Sequence, residues 1–202
     1  MSDCGCGAEE ADKLEKRTLI SLLLINGVMF FVEFFFGWFA QSTGLIADSL
    51  DMLADAMVYG LSLYAVGKGL KQKASATTVS GYLQILLGIG VLIEVLRRLI
   101  YGSEPQSTLI IIIGLVALIA NILCLVLISK HKDAGVHMRA SWIFSTNDVI
   151  ANLGVICSGI LVGAVGSRFP DLIIGCVIAV IVVRGGLKIL RESKQSMTSK
   201  SH

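Results

Sequence analysis

The sequence predicts an all-α membrane protein, a six-transmembrane-helix bundle with its N- and C-termini in the cytoplasm. Two observations predict the bundle: 54% of the 202 residues are hydrophobic, and the mean hydropathy is +0.79. Runs of about 20 mainly apolar residues are long enough to cross the ~30 Å hydrocarbon core of a bilayer. Six such runs occur, at residues 18–40, 44–67, 79–101, 108–129, 140–165 and 171–190.

The distribution of positive charge predicts the orientation. With the N-terminus in the cytoplasm, all of the 17 Lys and Arg residues fall on the inner side except Arg97, Arg98 and Arg168, as the positive-inside rule requires. A hydrophilic, acidic segment precedes the first run, unlike the short basic start of a signal peptide, so we expect this run to be retained as a span. We therefore expect an integral protein of the bacterial inner (plasma) membrane, in contact with the lipid bilayer and without a nucleic-acid partner.

The spans use nearly the whole chain. Residues 1–17 are predicted to form a flexible cytoplasmic tail, residues 18–192 a six-span domain, and residues 193–202 a short cytoplasmic tail. Spans three and six are rich in glycine and lack interior acids apart from Glu94, so we expect them to pack closely and to form the contact of a homodimer. Glu94 and Arg98 lie four residues apart and are predicted to pair.

Three aspartates interrupt the second run. Asp48, Asp51 and Asp55 fall within about a 60° arc of a helix, one above another. An ionised carboxylate is costly in hydrocarbon and requires a partner or a watery cavity. Asp51 and Asp55, four residues apart, can offer oxygens to the same cation.

Asp148 in the fifth run lies at a matching depth. At 1.5 Å per residue, Asp148 is ~16 Å along the helix from His137, and Asp55 is ~18 Å from Gly67. Because the two spans run in opposite directions, both acids reach the middle of the membrane, with Asp51 one turn further out. No Lys or Arg lies at that depth. A divalent cation or protons must therefore supply the missing positive charge.

Further polar side chains are predicted in the same bundle interior. They are Ser145 and Asn152 on span five, Asn121 on span four, and Asn26 and Glu33 on span one. The asparagines either assist the site or only hydrogen-bond helix to helix. Oxygen ligands suit zinc and harder ions such as manganese, and metal binding displaces protons from carboxyl groups. One site can thus exchange a metal for protons if the bundle opens it to each side in turn.

Two groups outside this interior are weaker candidates for receiving metal. Cys4 and Cys6 form a C-G-C pair, but two thiolates make an incomplete site, and an unstructured tail is the alternative. His131 and His137, with Asp133, lie in the predicted cytoplasmic connection between spans four and five. They either receive metal on its way to the bundle or belong to a solvated loop.

Three segments resemble the cation diffusion facilitator family of proton-coupled metal exporters. They are residues 26–37 (NGVMFFVEFFFG), 45–55 (LIADSLDMLAD) and 140–148 (ASWIFSTND). The resemblance extends over residues 18–192 and implies that Asp51 and Asp55 on the second span, with Asp148 on the fifth, are metal ligands. It leaves Asp48 outside the ligand set, as a structural or proton-handling group. Glu33 and Asn26 are further proton-handling or auxiliary polar candidates.

Two departures from the family pattern stand out. The remaining fifth-span ligand position, usually His or Asp in the family, holds Phe144. Ser145, Asn152, Asn121 or water would then complete the metal's coordination. Typical members also carry a C-terminal cytosolic metal-binding domain, and the sequence is expected to be a short form that lacks it.

Residues and resemblance together predict a secondary active transporter that exports a divalent transition-metal cation by proton antiport. Zinc is the first expectation, with cadmium, cobalt, manganese or iron as further candidates. The metal is the transported substrate, and no prosthetic group is expected. The alternative is a non-transporting membrane metal sensor or partner subunit of another transporter. An intramembrane enzyme is disfavoured, because two aspartates four apart on one helix do not face each other as an acid–base pair.

Overall fold

Six α-helices form the part of the molecule that the structure describes. A computed structural model describes residues 6–65, 70–129 and 136–198. The helices within these ranges are α1 (Cys6–Phe39), α2 (Thr43–Ala65), α3 (Leu70–Tyr101), α4 (Ser107–Ser129), α5 (Val136–Val165) and α6 (Phe169–Thr198). The part of the chain that the structure describes contains no strand.

Most of these helices are long and apolar enough to span a membrane. Within the described ranges, five segments are long and apolar enough to cross a bilayer: Lys16–Phe39, Thr77–Tyr101, Ser107–Ser129, Ser145–Val165 and Phe169–Arg191. Helix α2 has 23 residues, as many as α4, but its three aspartates interrupt the apolar run. Large hydrophobic side chains such as Phe31, Tyr82 and Ile119 are exposed on the outside of the bundle. An apolar exterior of this kind suits lipid. The predicted all-α six-helix membrane bundle is thereby confirmed, whereas the orientation of its termini stays a prediction.

Several helices extend beyond the predicted spans. Helix α1 begins at Cys6, so residues 6–17, expected to be a flexible tail, are helical. Helix α6 continues to Thr198, past the predicted end of the six-span domain at residue 192. Apolar periodicity detects the part of a helix that lies in hydrocarbon, and a polar extension of the same helix carries no such signal.

Helices α3 and α6 make the most extensive contact in the bundle, and glycines permit their close approach. A Cβ atom added to Gly81 would lie 3.1 Å from the Gly186 carbonyl oxygen, and one added to Gly186 would lie 2.8 Å from the Gly81 carbonyl oxygen. Small residues let helix backbones approach in this way in membranes. The expectation that these two spans pack closely is confirmed within a single chain.

Helix α2 occupies the centre of the bundle. It packs on α1, α3 and α6, whereas its contacts with α4 and α5 are sparse; α4 and α5 pack mainly on each other. We call the end of the bundle that holds the α1–α2 turn and the α3–α4 loop the turn end. One apolar cluster, containing Leu45, Val91 and Val155, lies toward the turn end, and another, containing Leu22 and Ile128, lies toward the opposite end. Buried polar side chains lie between the two clusters.

Replacing Gly88 by Ala should destabilise the bundle, because the new Cβ would lie 2.6 Å from Val183 Cγ2 and 3.2 Å from the Ala179 carbonyl oxygen. Such overpacking costs roughly 1–3 kcal/mol. Gly90 on the same helix has no atom within 4 Å of an added Cβ, so Gly90→Ala is the matched control. Thermal unfolding of both variants in detergent, followed by circular dichroism, checks the expectation. Equal melting temperatures would contradict the close α3–α6 packing.

Candidate metal centre

The start of α2 is held by a carboxylate from α6. Asp171, whose side chain is fully buried, accepts hydrogen bonds from the Ser42 hydroxyl at 2.5 Å, from the Thr43 N–H, and from the Gly44 N–H at 3.1 Å. Ser42 also caps the helix, because its Oγ accepts the Leu45 N–H at 3.1 Å. An anion at a helix N-terminus is favoured by the free N–H groups and the helix dipole. Asp171 therefore fixes the helix that carries the three aspartates.

Glu33 and Asp48 form the first acidic pair, between α1 and α2. Their exposed fractions are 0% and 1%, and their carboxyl groups lie close enough to interact with each other. Neither Glu33 oxygen accepts a bond from an N–H or hydroxyl donor, and neither does Asp48 Oδ2. Two carboxylates in contact in a low-dielectric interior repel strongly. This pair therefore requires a shared proton or a cation.

Asp55 and Asp148 form the second pair, across the sparse contact between α2 and α5. Both residues are partly buried, and their carboxyl groups also lie close enough to interact with each other. Asp51 lies between the two pairs on α2, close enough to Asp48 and Asp55 to interact with them electrostatically. The acids thus run in a line through the middle of the bundle.

Within the described ranges, no Lys or Arg side chain forms a salt bridge with these acids. The salt bridges there join Glu94 to Arg97 and Arg98, which confirms the predicted Glu94–Arg98 pair. In the same part of the chain, no group of three or more His, Cys, Asp or Glu side chains is arranged to hold a metal ion. The structure therefore brings Asp55 and Asp148 together, and the three-acid ligand set with Asp51 stays a prediction.

The side chains expected to complete a metal site are buried, and Asn152 lies next to the acids. Ser145 is 1% exposed, and its Oγ has no hydrogen-bond partner. Asn152 donates from Nδ2 to the Asp148 carbonyl oxygen at 3.1 Å and toward Asp48 Oδ1 at 3.5 Å, while its own Oδ1 has no donor. Asn121 is buried on α4. Two buried oxygens thus have no hydrogen-bond partner, and one of them belongs to Asn152, whose amide reaches toward Asp48.

Asn26 has a different environment. Its Nδ2 donates to the Leu22 carbonyl oxygen at 2.9 Å and to Cys124 Sγ at 3.6 Å, which links α1 to α4. Of the two alternatives for this residue, the structure favours helix-to-helix hydrogen bonding.

Three residues near the site were not singled out from the sequence. Tyr59 and Cys124 are buried and close enough to Asp55 and Asp148 to interact electrostatically. Tyr59 follows Asp55 by four residues on α2, a helical spacing that places both on one face. Asp171 is the third. The sequence feature that could have identified it is an acid in the first turn of α6, directly after Pro170.

The weaker candidates for receiving metal fall outside what can be described. Cys4 and His131 lie beyond the described residues, and so do the side chains of Cys6 and His137, although their backbones belong to α1 and α5. The side chain of Phe144 is likewise outside the described set. These assignments stay predictions.

Asp171→Ala should lower the free energy of unfolding by roughly 1–3 kcal/mol, because it leaves buried donors at the start of α2 without an acceptor. Glu104→Ala, which removes an exposed carboxylate at the same end of the bundle, is the control. Thermal unfolding in detergent measures both. If the two variants melt together with the wild type, Asp171 does not hold α2.

Comparison with known proteins relates nearly the whole bundle to one family of membrane domains. A family model described as the cation efflux transmembrane domain matches residues 19–198. The zinc transporter ZitB of Yersinia pseudotuberculosis is 27% identical over 196 residues, which cover 90% of this chain and 62% of that protein. The cadmium, cobalt and zinc/H(+)-K(+) antiporter of Bacillus subtilis is 22% identical over 193 residues, covering 89% and 62%.

A third relative, the metal cation efflux system protein CzcD of Cupriavidus metallidurans, is 22% identical over 197 residues, covering 88% of this chain and 62% of that protein. The chain thus spans a little over three-fifths of the length of these relatives. Together with the membrane-spanning helices, these bacterial relatives support the predicted integral inner-membrane protein.

Proposed function

We propose that this chain, which belongs to the cation efflux family, a family of transporters rather than enzymes, exports a divalent transition-metal cation from the cytoplasm. The contact between Asp55 and Asp148 carries the proposal, because it joins carboxyl groups of two helices in the middle of the bundle. Two carboxylates balance the charge of one divalent cation without any basic residue.

Zinc is the proposed cargo, with cadmium, cobalt, manganese or iron as further candidates. The relatives support this choice, since one is described as a zinc transporter and another as a cadmium, cobalt and zinc antiporter. The oxygen donors around the site accept zinc and also the harder divalent ions. The metal is a transported substrate, and the proposal includes no prosthetic group.

The proposed ligands are Asp51, Asp55 and Asp148. Ser145 Oγ and Asn152 Oδ1, both without a hydrogen-bond partner, would complete the coordination together with Asn121 or water. Helices α2 and α5 touch sparsely, although both also pack on α6. A metal between Asp55 and Asp148 would therefore join two helices that otherwise contact each other little. Relative movement of α2 and α5 would open the site to each side in turn.

Proton antiport completes the proposed cycle, with the Glu33–Asp48 pair as the proton-handling group. The pair is buried next to Asp51, where an arriving cation would repel a proton and a departing one would attract it. Asn26 has an auxiliary role as the hydrogen bond that fixes α1 against α4. A homodimer through α3 and α6 is part of the same proposal.

A second candidate function is a non-transporting metal sensor or partner subunit. Phe144 at a position where the family carries a metal ligand favours it. Stoichiometric zinc binding without flux in vesicles, together with co-purification of another membrane protein, would support this alternative.

Asp55→Ala should abolish zinc flux into proteoliposomes driven by an imposed pH gradient, and Asp148→Ala should do the same. Loss of a metal-binding carboxylate should weaken zinc affinity by at least about 100-fold. The Glu104→Ala variant is the control and should transport as the wild type does. Flux that is identical in the wild type and in a folded Asp55→Ala variant would contradict the proposal.

Glu33→Gln should leave zinc binding close to that of the wild type while making flux less dependent on the pH gradient. The amide has the shape of the acid but cannot release a proton. Zinc titration and flux assays over a series of imposed pH gradients measure the two effects separately. An unchanged gradient dependence would remove Glu33 from proton handling without affecting the metal site.

A further inference from the structure

A cleft of about 250 Å³ opens at the turn end, away from the acidic line. It lies where the end of α1 and the α1–α2 turn face the end of α3 and the loop that follows it. Its lining residues are Trp38, Gln41, Arg97, Arg98, Gly102 and Ser103. The Gln41 side chain joins two of these segments, because its Oε1 accepts the Glu104 N–H at 2.9 Å.

Arg98 reaches this cleft with part of its guanidinium group unused. The residue is 3% exposed, and its Nε donates to Glu94 Oε1 at 2.6 Å, but its Nη1 has no hydrogen-bond partner. The Ser103 hydroxyl, in the loop that follows α3, also lacks a partner. A buried polar donor without an acceptor is costly, and a charged one more so. Both groups can therefore donate to an anion that enters the cleft.

The charge of the cleft is positive. The Glu94 carboxylate is shared by both arginines, since Arg97 donates to it from Nε and Nη2 at 2.8 and 2.7 Å. Two guanidinium groups and one carboxylate leave one net positive charge. Arg168 lies close by, since its Nη1 would be 3.0 Å from a Cβ on Gly102, and Glu104, which lines a neighbouring pocket together with Arg168 and Ser103, carries the opposite charge. The α3 carbonyl groups, which would repel an anion, are partly occupied: the Gly102 N–H donates to the Arg98 carbonyl oxygen at 2.9 Å.

The cleft opens beside an aromatic surface. Trp38 lines it and is 60% exposed, and Phe35 and Phe39 on the same helix are 58% and 56% exposed. Exposed tryptophan at the end of a membrane-spanning helix marks the level of the lipid headgroups. We propose that the cleft binds the phosphate group of a membrane phospholipid. Arg98 Nη1 and the Ser103 hydroxyl donate to the phosphate oxygens, and Trp38 packs against the glycerol region. A phosphodiester carries one negative charge, which matches the net charge of the two arginines and Glu94.

Native mass spectrometry of the full chain in detergent tests the proposal with dioleoyl phosphatidylglycerol as the probe. The wild type should retain this lipid and should not retain dioleoylglycerol, which lacks the phosphate. Arg98→Gln should weaken the apparent affinity roughly tenfold or more, because it removes a charge-assisted hydrogen bond. Arg191→Gln removes an exposed arginine near the C-terminal end of α6, far from the cleft at the turn end. This control variant should leave the affinity unchanged.

Equal retention of phosphatidylglycerol by the wild type and Arg98→Gln would overturn the proposal, as would equal retention of the two lipids. If Arg98→Gln does not fold, Ser103→Ala decides, because a loop hydroxyl can be removed without loss of packing. Unchanged lipid affinity in that variant would also overturn the site. Inorganic phosphate serves as a separate probe: if it binds at Arg98 while phosphatidylglycerol is not retained, the cleft takes a free anion and the assignment to a lipid is wrong.

Discussion

The rest of the structure depends on five acids, two of them buried and three partly buried, that lie together without neutralising Lys or Arg. Glu33, Asp48, Asp51, Asp55 and Asp148 run through the middle of the bundle, and within the described ranges no basic side chain forms an ion pair with any of them. Buried negative charge at this density requires protons or a cation. The same carboxyl groups can accept either. The positive charge that the fold requires is therefore supplied by the same ions that the proposed transport cycle exchanges.

The helix packing holds α2 firmly on one side of the acidic line and only weakly on the side of α5. Asp171 and Ser42 anchor the start of α2 to α6, and the glycine contacts hold α3 against α6. In contrast, α2 and α5 touch sparsely, and Asp55 with Asp148 and Asp48 with Asn152 are among the pairs that approach across this contact. A helix held firmly on one side and joined weakly on the other suits a site that must open. The cation or proton between the carboxyl groups would then contribute much of the attraction across that contact.

The sequence predicted the spans and the acidic faces, because apolar runs and helical spacing are local properties. Asp48, Asp51 and Asp55 share a face as expected, and the matched depth of Asp55 and Asp148 is realised as a contact. The partners across helices could not be predicted. The bond between Ser42 and Asp171 joins residues 129 apart in sequence, and the pairing of Glu33 with Asp48 depends on how α1 and α2 rotate against each other. Local patterns contain no information on either.

The central claim is that one metal cation binds between carboxylates of α2 and α5. A crystal of the full chain grown with zinc, with data collected at the zinc absorption edge, tests it most directly. The account predicts an anomalous difference peak in contact with the carboxylates of both Asp55 and Asp148. A peak bound elsewhere, with this pair empty under saturating zinc, would contradict it.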